Sequence, residues 1–255
     1  MIGFKETIFF IVVFVSNVIQ CITGFAGTVL AMPFSIMLVG YNTAKPILNL
    51  LGIVVSIGVV TINYKALNKK QFFRIILTMF VGMVGGFLVT RFFEVSPALL
   101  YKLLGVIVIG FMGLGCYHSF SKSYKMKQEK ARSENKEKTS LWSFAVLVIA
   151  GIVHGMFSCG GPLMVVYASE HLKGRDEFRV TISGVWCVLN SIILFSDIKA
   201  GCFNTKTILL SGISVGILFL ALLVGNIIFK HINKRWFMII TYVLMGISGV
   251  SLLIK

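Results

Sequence analysis

Two short stretches of the sequence interrupt apolar runs with glycine, proline and small polar residues. They are TGFAGTVLAMPF, residues 23–34, and GMFSCGGPLMVVY, residues 155–167. Because glycine and proline disfavour the interior of a helix, each stretch is predicted to end one helix and to begin another. The start of a helix presents unpaired backbone N–H groups and a partial positive charge. Two such starts facing each other could bind a small anion without a positively charged side chain.

The candidate anion-binding residues lie in these two interruptions and on the helix faces beside them. Gln20 precedes Gly24 by one turn, and His154 precedes Ser158 by one turn, so each pair shares a helix face. Polar side chains in the next apolar segment of each half could complete the lining, or could form hydrogen bonds between helices. The predicted binding residues are Gln20, Gly24, Phe25, Gly27, Asn49, His154, Ser158, Cys159, Gly160, Gly161 and Asn190.

His154 is the one titratable side chain deep in a predicted span. It could relay a proton or donate to an anion, or it could be a neutral packing residue. A membrane serine protease would need its histidine on a different helix from the serine, whereas His154 and Ser158 share one. The sequence has no phosphate-binding loop and no metal-ligand cluster, and its five cysteines show no paired spacing. We therefore expect no enzyme activity, no cofactor and no bound metal.

The composition is that of a membrane protein. The chain has 57% hydrophobic and 13% charged residues, whereas soluble domains have about 25% charged residues. The net charge of +15 comes from Lys and Arg between the apolar runs, which is typical of cytoplasmic loops rather than of a nucleic-acid surface. The sequence predicts an all-α, multi-pass protein of the cell membrane that contacts the lipid bilayer and no nucleic acid. The apolar run that starts near residue 7 is predicted to be a retained first span.

Eight apolar segments follow one another in two groups of four. The first group is 7–39, 46–64, 73–93 and 98–119, and the second group is 141–169, 180–198, 206–229 and 236–254. The basic, hydrophilic residues 121–140 between them are predicted to form a solvated cytoplasmic linker. An offset that aligns Gln20 with His154 also aligns the two interruptions. We therefore predict two transmembrane repeats, 1–120 and 141–255, joined by the linker 121–140.

The first segment of each group is too long for one straight span. A helix over residues 7–39 would be about 50 Å long, whereas the hydrocarbon core of a bilayer is about 30 Å thick. A hairpin of two short helices and a single broken span with an overhanging end both fit this length. The hairpin places more Lys and Arg on one side of the membrane, so the positive-inside rule favours it. The two repeats would then be inverted, as in many transporters whose helices break near the midplane.

The two interruptions resemble the doubled glycine-rich signature of the TauE/SafE family of membrane permeases. The eight apolar segments and the central basic loop are similar as well. The resemblance implies a permease for small sulfur-containing anions, such as sulfite, sulfonates or sulfoacetate, with the anion bound at residues 24–27 and 158–161. The chain departs from the family pattern of three successive glycines, because only Gly160 and Gly161 precede Pro162.

These patterns support two hypotheses of different classes. The first is a secondary transporter of a small anion that works by alternating access, with protons as a candidate coupling ion. The alternative is a membrane assembly protein that transports nothing, whose glycines serve only helix packing and whose linker 121–140 docks a partner. The sequence sets no oligomeric state under either hypothesis.

Overall fold

The computed structural model describes most of the chain as α-helices and short connections. The described residues are 3–92, 141–158, 160–172 and 174–231, together with single helical positions within 102–113 and 243–253. The predicted segments 98–119 and 236–254 lie largely outside the described residues. The predicted linker 121–140 and Cys159 lie wholly outside them.

Eight α-helices and one short 3-10 helix make up the described ranges. The helices are α1 (Phe4–Thr23), α2 (Ala26–Val39), α3 (Tyr41–Ile62), α4 (Lys69–Phe92), α5 (Leu141–Phe157), α6 (Gly161–His171), α7 (Arg175–Lys199) and α8 (Thr205–His231), with the 3-10 helix at Tyr64–Ala66. Five helices in this part of the chain, α1, α3, α4, α7 and α8, are long and apolar enough to cross a membrane. The predicted all-α, multi-pass membrane architecture is therefore confirmed.

Both predicted interruptions are turns between two helices that fold back on each other. At the first, the N–H of Gly24 donates to the carbonyl of Gln20 at 2.7 Å, and Gly27 then packs against the side chain of Gln20. At the second, the N–H of Ser158 donates to the carbonyl of His154 at the same distance, and the next helix packs back against α5. We call α1 with α2 the first hairpin and α5 with α6 the second hairpin.

The first hairpin begins and ends at the same end of the molecule. Glu6 near the start of α1 forms a 2.9 Å ion pair with Lys206, and Lys45 just after α2 forms a 2.7 Å ion pair with Asp197. Lys206 and Asp197 flank the short connection between α7 and α8. This end of the molecule is formed by residues 3–6, 40–45 and 197–206. Of the two sequence alternatives, the described contacts match the hairpin and not the single broken span.

The second hairpin begins and ends at the other end of the molecule. Tyr167 near the end of α6 donates a 2.9 Å hydrogen bond to Gln71 at the start of α4. Asn68 just before α4 donates a 2.7 Å hydrogen bond to Glu177 at the start of α7. We call this end, formed by residues 63–74 and 171–179, the basic end. The connections 63–68 and 172–174 thus meet at this end of the molecule.

The helix contacts of one half have counterparts in the other half. Helix α1, the first helix of the first half, packs along α8. Helix α5 is the first helix of the second half, and it packs along α4. Helices α3 and α7 pack against each other in opposite directions, because Lys45 meets Asp197 and Asn49 donates to the carbonyl of Asn190 at 3.2 Å. An inverted repeat would place equivalent helices antiparallel in this way. The repeat limits 1–120 and 141–255 stay a prediction, since parts of both lie outside the described residues.

Glycines allow α4 and α5 to pack with their backbones in contact. A Cβ atom at Gly82 would overlap the carbonyl of Val148, and one at Gly86 would overlap the carbonyl of Ile152. Gly151 on α5 meets the backbone of α4 in the same manner. Small residues spaced four apart are the usual means of close helix approach in membranes. This contact fixes the second hairpin against the rest of the bundle.

We expect Gly82→Ala to lower the thermal stability of the detergent-purified protein, because overpacking a tight contact costs about 1–3 kcal/mol. Gly85→Ala is the matched control on the same helix. Its new Cβ would lie 3.8 Å from Ile152, an ordinary contact, and alanine favours the helix by about 1 kcal/mol over glycine. Melting temperatures from intrinsic fluorescence check the pair, and equal melting of the two variants would contradict the packing argument.

Candidate functional site

The tips of the two hairpins meet at a small buried cavity. Its volume is about 10 Å³, which has room for roughly one water molecule. The cavity is lined by Gln20, Phe25, Thr28, Val29, Ser158, Gly161, Trp186 and Asn190. None of these side chains carries a charge. The lining is thus made of uncharged polar groups, apolar surface and the starts of two helices.

The first hairpin contributes the start of α2. The hydroxyl of Thr23 accepts hydrogen bonds from the N–H groups of Phe25 and Ala26, both at 3.1 Å. The N–H groups of Gly27 and Thr28 also belong to the first turn and have no acceptor within the helix. Thr28 lines the cavity, so the first turn of α2 lies beside it.

The second hairpin contributes the start of α6. Gly161 is its first residue, and Pro162, which has no N–H group, occupies the first turn as predicted. The first N–H to find a partner within the helix is that of Met164, which donates to the carbonyl of Gly160 at 3.3 Å. A Cβ atom at Gly161 would lie 3.3 Å from the carbonyl oxygen of Phe25. The two helix starts are therefore in contact with each other across the cavity.

Ser158 holds a backbone conformation that L-residues rarely adopt. Its φ is +56°, and Gly24, at the corresponding place in the first hairpin, has φ +84°. A non-glycine residue in this left-handed region costs about 1–2 kcal/mol. The Ser158 side chain is 4% exposed, and its hydroxyl has no hydrogen-bond partner among the described residues. The strained backbone thus places a buried, unpaired hydroxyl on the cavity wall.

Helix α7 adds two polar side chains, one turn apart. Trp186 and Asn190 are each 4% exposed and both line the cavity. The indole Nε1 of Trp186 has no hydrogen-bond partner within the described ranges. The backbone carbonyl of Asn190, in contrast, accepts the hydrogen bond from Asn49. The indole N–H is a donor only, so it favours a ligand that offers an acceptor.

Gly52 of α3 makes room for the polar side chains of the cavity. A Cβ atom there would lie 2.8 Å from Nδ2 of Asn190, 3.6 Å from Nε2 of Gln20 and 3.8 Å from the Thr28 hydroxyl. Any other residue would therefore displace the Asn190 amide, whereas its contacts with Gln20 and Thr28 would be ordinary. Gly52 does not itself line the cavity, but it makes room for the Asn190 side chain that does.

The structure brings five of the predicted binding residues to the cavity and places five others behind it. The lining members are Gln20, Phe25, Ser158, Gly161 and Asn190. The residues behind the lining are Gly24, Gly27, Asn49, His154 and Gly160, which pack against neighbouring helices. Cys159 lies outside the described residues. The binding role of these residues remains a prediction.

His154 is buried behind the cavity wall. It is 1% exposed, and its ring centroid lies 4.8 Å from that of Trp186. Neither ring nitrogen has a hydrogen-bond partner in the described part of the chain. The imidazole therefore supports the Trp186 indole from behind, and both sequence hypotheses, a proton relay and a packing residue, remain open.

The predicted list of binding residues omits three lining residues, Thr28, Val29 and Trp186, and it omits Gly52 behind the lining. Val29 and Gly52 lie in runs of apolar and small residues, where neither type stands out. Trp186 precedes Asn190 by four residues and so shares its helix face, which is the one signal that could have pointed to it.

The chain matches the family model described as Sulfite exporter TauE/SafE over residues 8–252. The matched range includes both hairpins, except for the first four residues of α1, and every described residue that lines the cavity. No curated protein and no solved structure matches the chain significantly. The family match and the cavity are therefore the two findings from which function is argued.

We expect Ser158→Gly to melt at a higher temperature than Ser158→Ala in detergent. Both variants lose the hydroxyl, but only glycine adopts the left-handed conformation without steric cost, a difference of about 1 kcal/mol. Thermal unfolding of the two purified proteins measures this difference. An alanine variant as stable as the glycine variant would show that the backbone at residue 158 is unstrained.

Proposed function

Because the chain belongs to the TauE/SafE sulfite exporter family and is a multi-pass membrane transporter, we propose that it carries a small sulfur-containing anion. Sulfite or an organosulfonate is the proposed substrate, and alternating access is the proposed mechanism. The family membership favours this function over the alternative of an assembly protein that transports nothing.

The observation that carries the proposal is the meeting of two helix starts at one buried cavity. In hydrocarbon, an unsatisfied backbone group costs several kcal/mol, so broken helices persist where they line a cavity or are buried in protein. The starts of α2 and α6 both direct first-turn N–H groups and a partial positive charge toward the same place. An anion there would accept hydrogen bonds from both hairpins.

The unpaired polar side chains of the lining support the same substrate class. The Ser158 hydroxyl and the Trp186 indole N–H are buried donors without partners among the described residues. Leaving a buried donor unsatisfied costs about 1–3 kcal/mol. An anion with several oxygen atoms would satisfy both donors at once, which makes oxyanions better ligands than apolar solutes.

The size of the cavity supports a mechanism in which the hairpin tips move. A space for roughly one water molecule is too small for a sulfur oxyanion of four or more heavy atoms. Binding therefore requires the starts of α2 and α6 to separate. In the proposed cycle the two hairpins separate toward one end of the molecule at a time, as inverted-repeat transporters do.

Each hairpin tip touches the helix that leads away from the cavity. A Cβ atom at Gly24 would lie 3.1 Å from the carbonyl of Arg179 on α7. The hydroxyl of Tyr41 on α3 donates to the carbonyl of Met156 in the second hairpin at 3.2 Å. Movement of α3 against α7 would thus be transmitted to both tips. Protons are the proposed coupling ion, since the titratable His154 packs against the lining residue Trp186.

The direct test is anion flux into proteoliposomes that contain the purified protein. The panel is sulfite, thiosulfate, sulfate, sulfoacetate and chloride, each with and without a proton gradient. Saturable movement of a sulfur anion is the expected result. Absence of flux for the whole panel, from protein that unfolds cooperatively on heating, would overturn the proposed substrate class.

We expect Asn190→Leu to reduce this flux at least tenfold with little change in melting temperature. The substitution keeps the branching of the side chain at Cγ and the backbone carbonyl that accepts from Asn49, but removes the amide from the cavity. A hydrogen bond to a charged group contributes about 1.5–3 kcal/mol, or roughly a tenfold to hundredfold change in binding. Ser191→Ala, on the exposed face of the same helix, is the control. Equal flux for both variants would remove Asn190 from the site.

A further inference from the structure

We propose that the cavity selects a singly charged oxyanion over a doubly charged one, and that the Trp186 indole N–H and the Ser158 hydroxyl are the side-chain donors that bind it. This inference rests on the proposed function, because it assumes that the cavity between the hairpins is the anion site. It adds the charge of the substrate and a binding residue, Trp186, that the sequence analysis did not identify.

First, the cavity offers no fixed positive charge among the described residues, because all eight lining residues that the structure describes are neutral. Of the two mostly buried cations among the described side chains of α3 and α7, Lys45, whose side chain is 16% exposed, is neutralised by Asp197 at 2.7 Å. The other is Arg179, two helical turns from Trp186 and therefore about 10 Å away along the helix axis. Its guanidinium donates to Asn226 at 2.8 Å and lies 4.1 Å from the centre of the Phe229 ring. Neither cation reaches the cavity to neutralise a second negative charge.

The second argument concerns how binding energy depends on charge. The hydration energy that an ion loses on burial grows with the square of its charge. Its attraction to neutral donors and helix starts grows only in direct proportion to the charge. With the same set of donors, the site therefore compensates a smaller share of the hydration energy that a doubly charged anion loses. A cavity with neutral walls favours the singly charged form.

The third argument is the mixture of groups around the cavity. Trp186 and Ser158 provide donors, as do the first turns of α2 and α6. Gln20 and Asn190 also carry amide oxygens, which repel an ionised oxygen but accept a hydrogen bond from a protonated one. Phe25 and Val29 provide apolar surface. The lining thus suits an anion with ionised oxygens on one side and an O–H or carbon substituent on the other.

Methanesulfonate and sulfate form the matched pair that tests this inference. Both are tetrahedral sulfur oxyanions, and they differ in charge and in one substituent. Binding is measured from the rise in melting temperature of the detergent-purified full chain as each anion is added. Sulfate also stabilises proteins through general exclusion from their surface. For each anion, the rise in melting temperature of Trp186→Phe is therefore subtracted from the rise of the wild type, which removes this general effect.

We expect methanesulfonate to raise the melting temperature of the wild type more than that of Trp186→Phe, in a saturable manner. The half-saturating concentration should be at least tenfold lower for methanesulfonate than for sulfate. Trp186→Phe keeps the aromatic contact with His154 but removes the N–H, and we expect about tenfold weaker methanesulfonate binding from it, a change of about 1.4 kcal/mol. Ser158→Ala should weaken binding similarly, and Val188→Ala, an exposed position on the same helix, should not. Sulfate binding as tight as methanesulfonate binding would overturn the inference, and so would the absence of any variant-sensitive rise.

The same two anions, used as competitors of sulfite flux in proteoliposomes, separate this inference from the proposed function. Selective binding of methanesulfonate without flux of any anion would contradict the transport proposal and leave the charge selectivity in place. If sulfate inhibits sulfite flux as strongly as methanesulfonate does, the transport proposal stands and the charge selectivity is overturned.

Discussion

Unpaired backbone groups in an apolar environment are the constraint on which the rest of this structure depends. Two helices break inside the bundle, and each break leaves first-turn N–H groups that lipid cannot satisfy. The protein meets this constraint by folding each broken segment back as a hairpin and by placing the tips of the two hairpins against each other. Gly161 contacts the carbonyl of Phe25, so each tip buries the other. The unpaired N–H groups at the two breaks become a binding site once an anion between the tips can accept their hydrogen bonds.

The surrounding helices hold the tips in place by two different means. The second hairpin is fixed by direct backbone contact, since Gly82 and Gly151 bring α4 and α5 together. The first hairpin is anchored at its open end by ion pairs, Glu6 with Lys206 and, just beyond it, Lys45 with Asp197. Under the proposed mechanism, the ion pairs at the open end of the first hairpin would separate while the close contact of α4 with α5 is kept.

The sequence predicts much of this arrangement, because the decisive signals are local. The helix break near Gly24 and the helix start near Gly161 follow from the positions of glycine and proline in the sequence. Trp186 and Gly52 could not be predicted in the same way, since their roles depend on how α7 and α3 face the hairpins. Gly27 shows the converse. Its residue type suggests open backbone for a ligand, whereas its position against Gln20 makes it a packing glycine of the first hairpin.

The central claim is that one anion sits between the two helix starts. It is tested most directly by anomalous diffraction from crystals of the full chain grown with selenite, a heavier oxyanion of the sulfite type. We expect one strong anomalous peak between Phe25 and Gly161, within hydrogen-bond distance of the first turns of α2 and α6. A peak elsewhere in the bundle, or none there at saturating selenite, would contradict it.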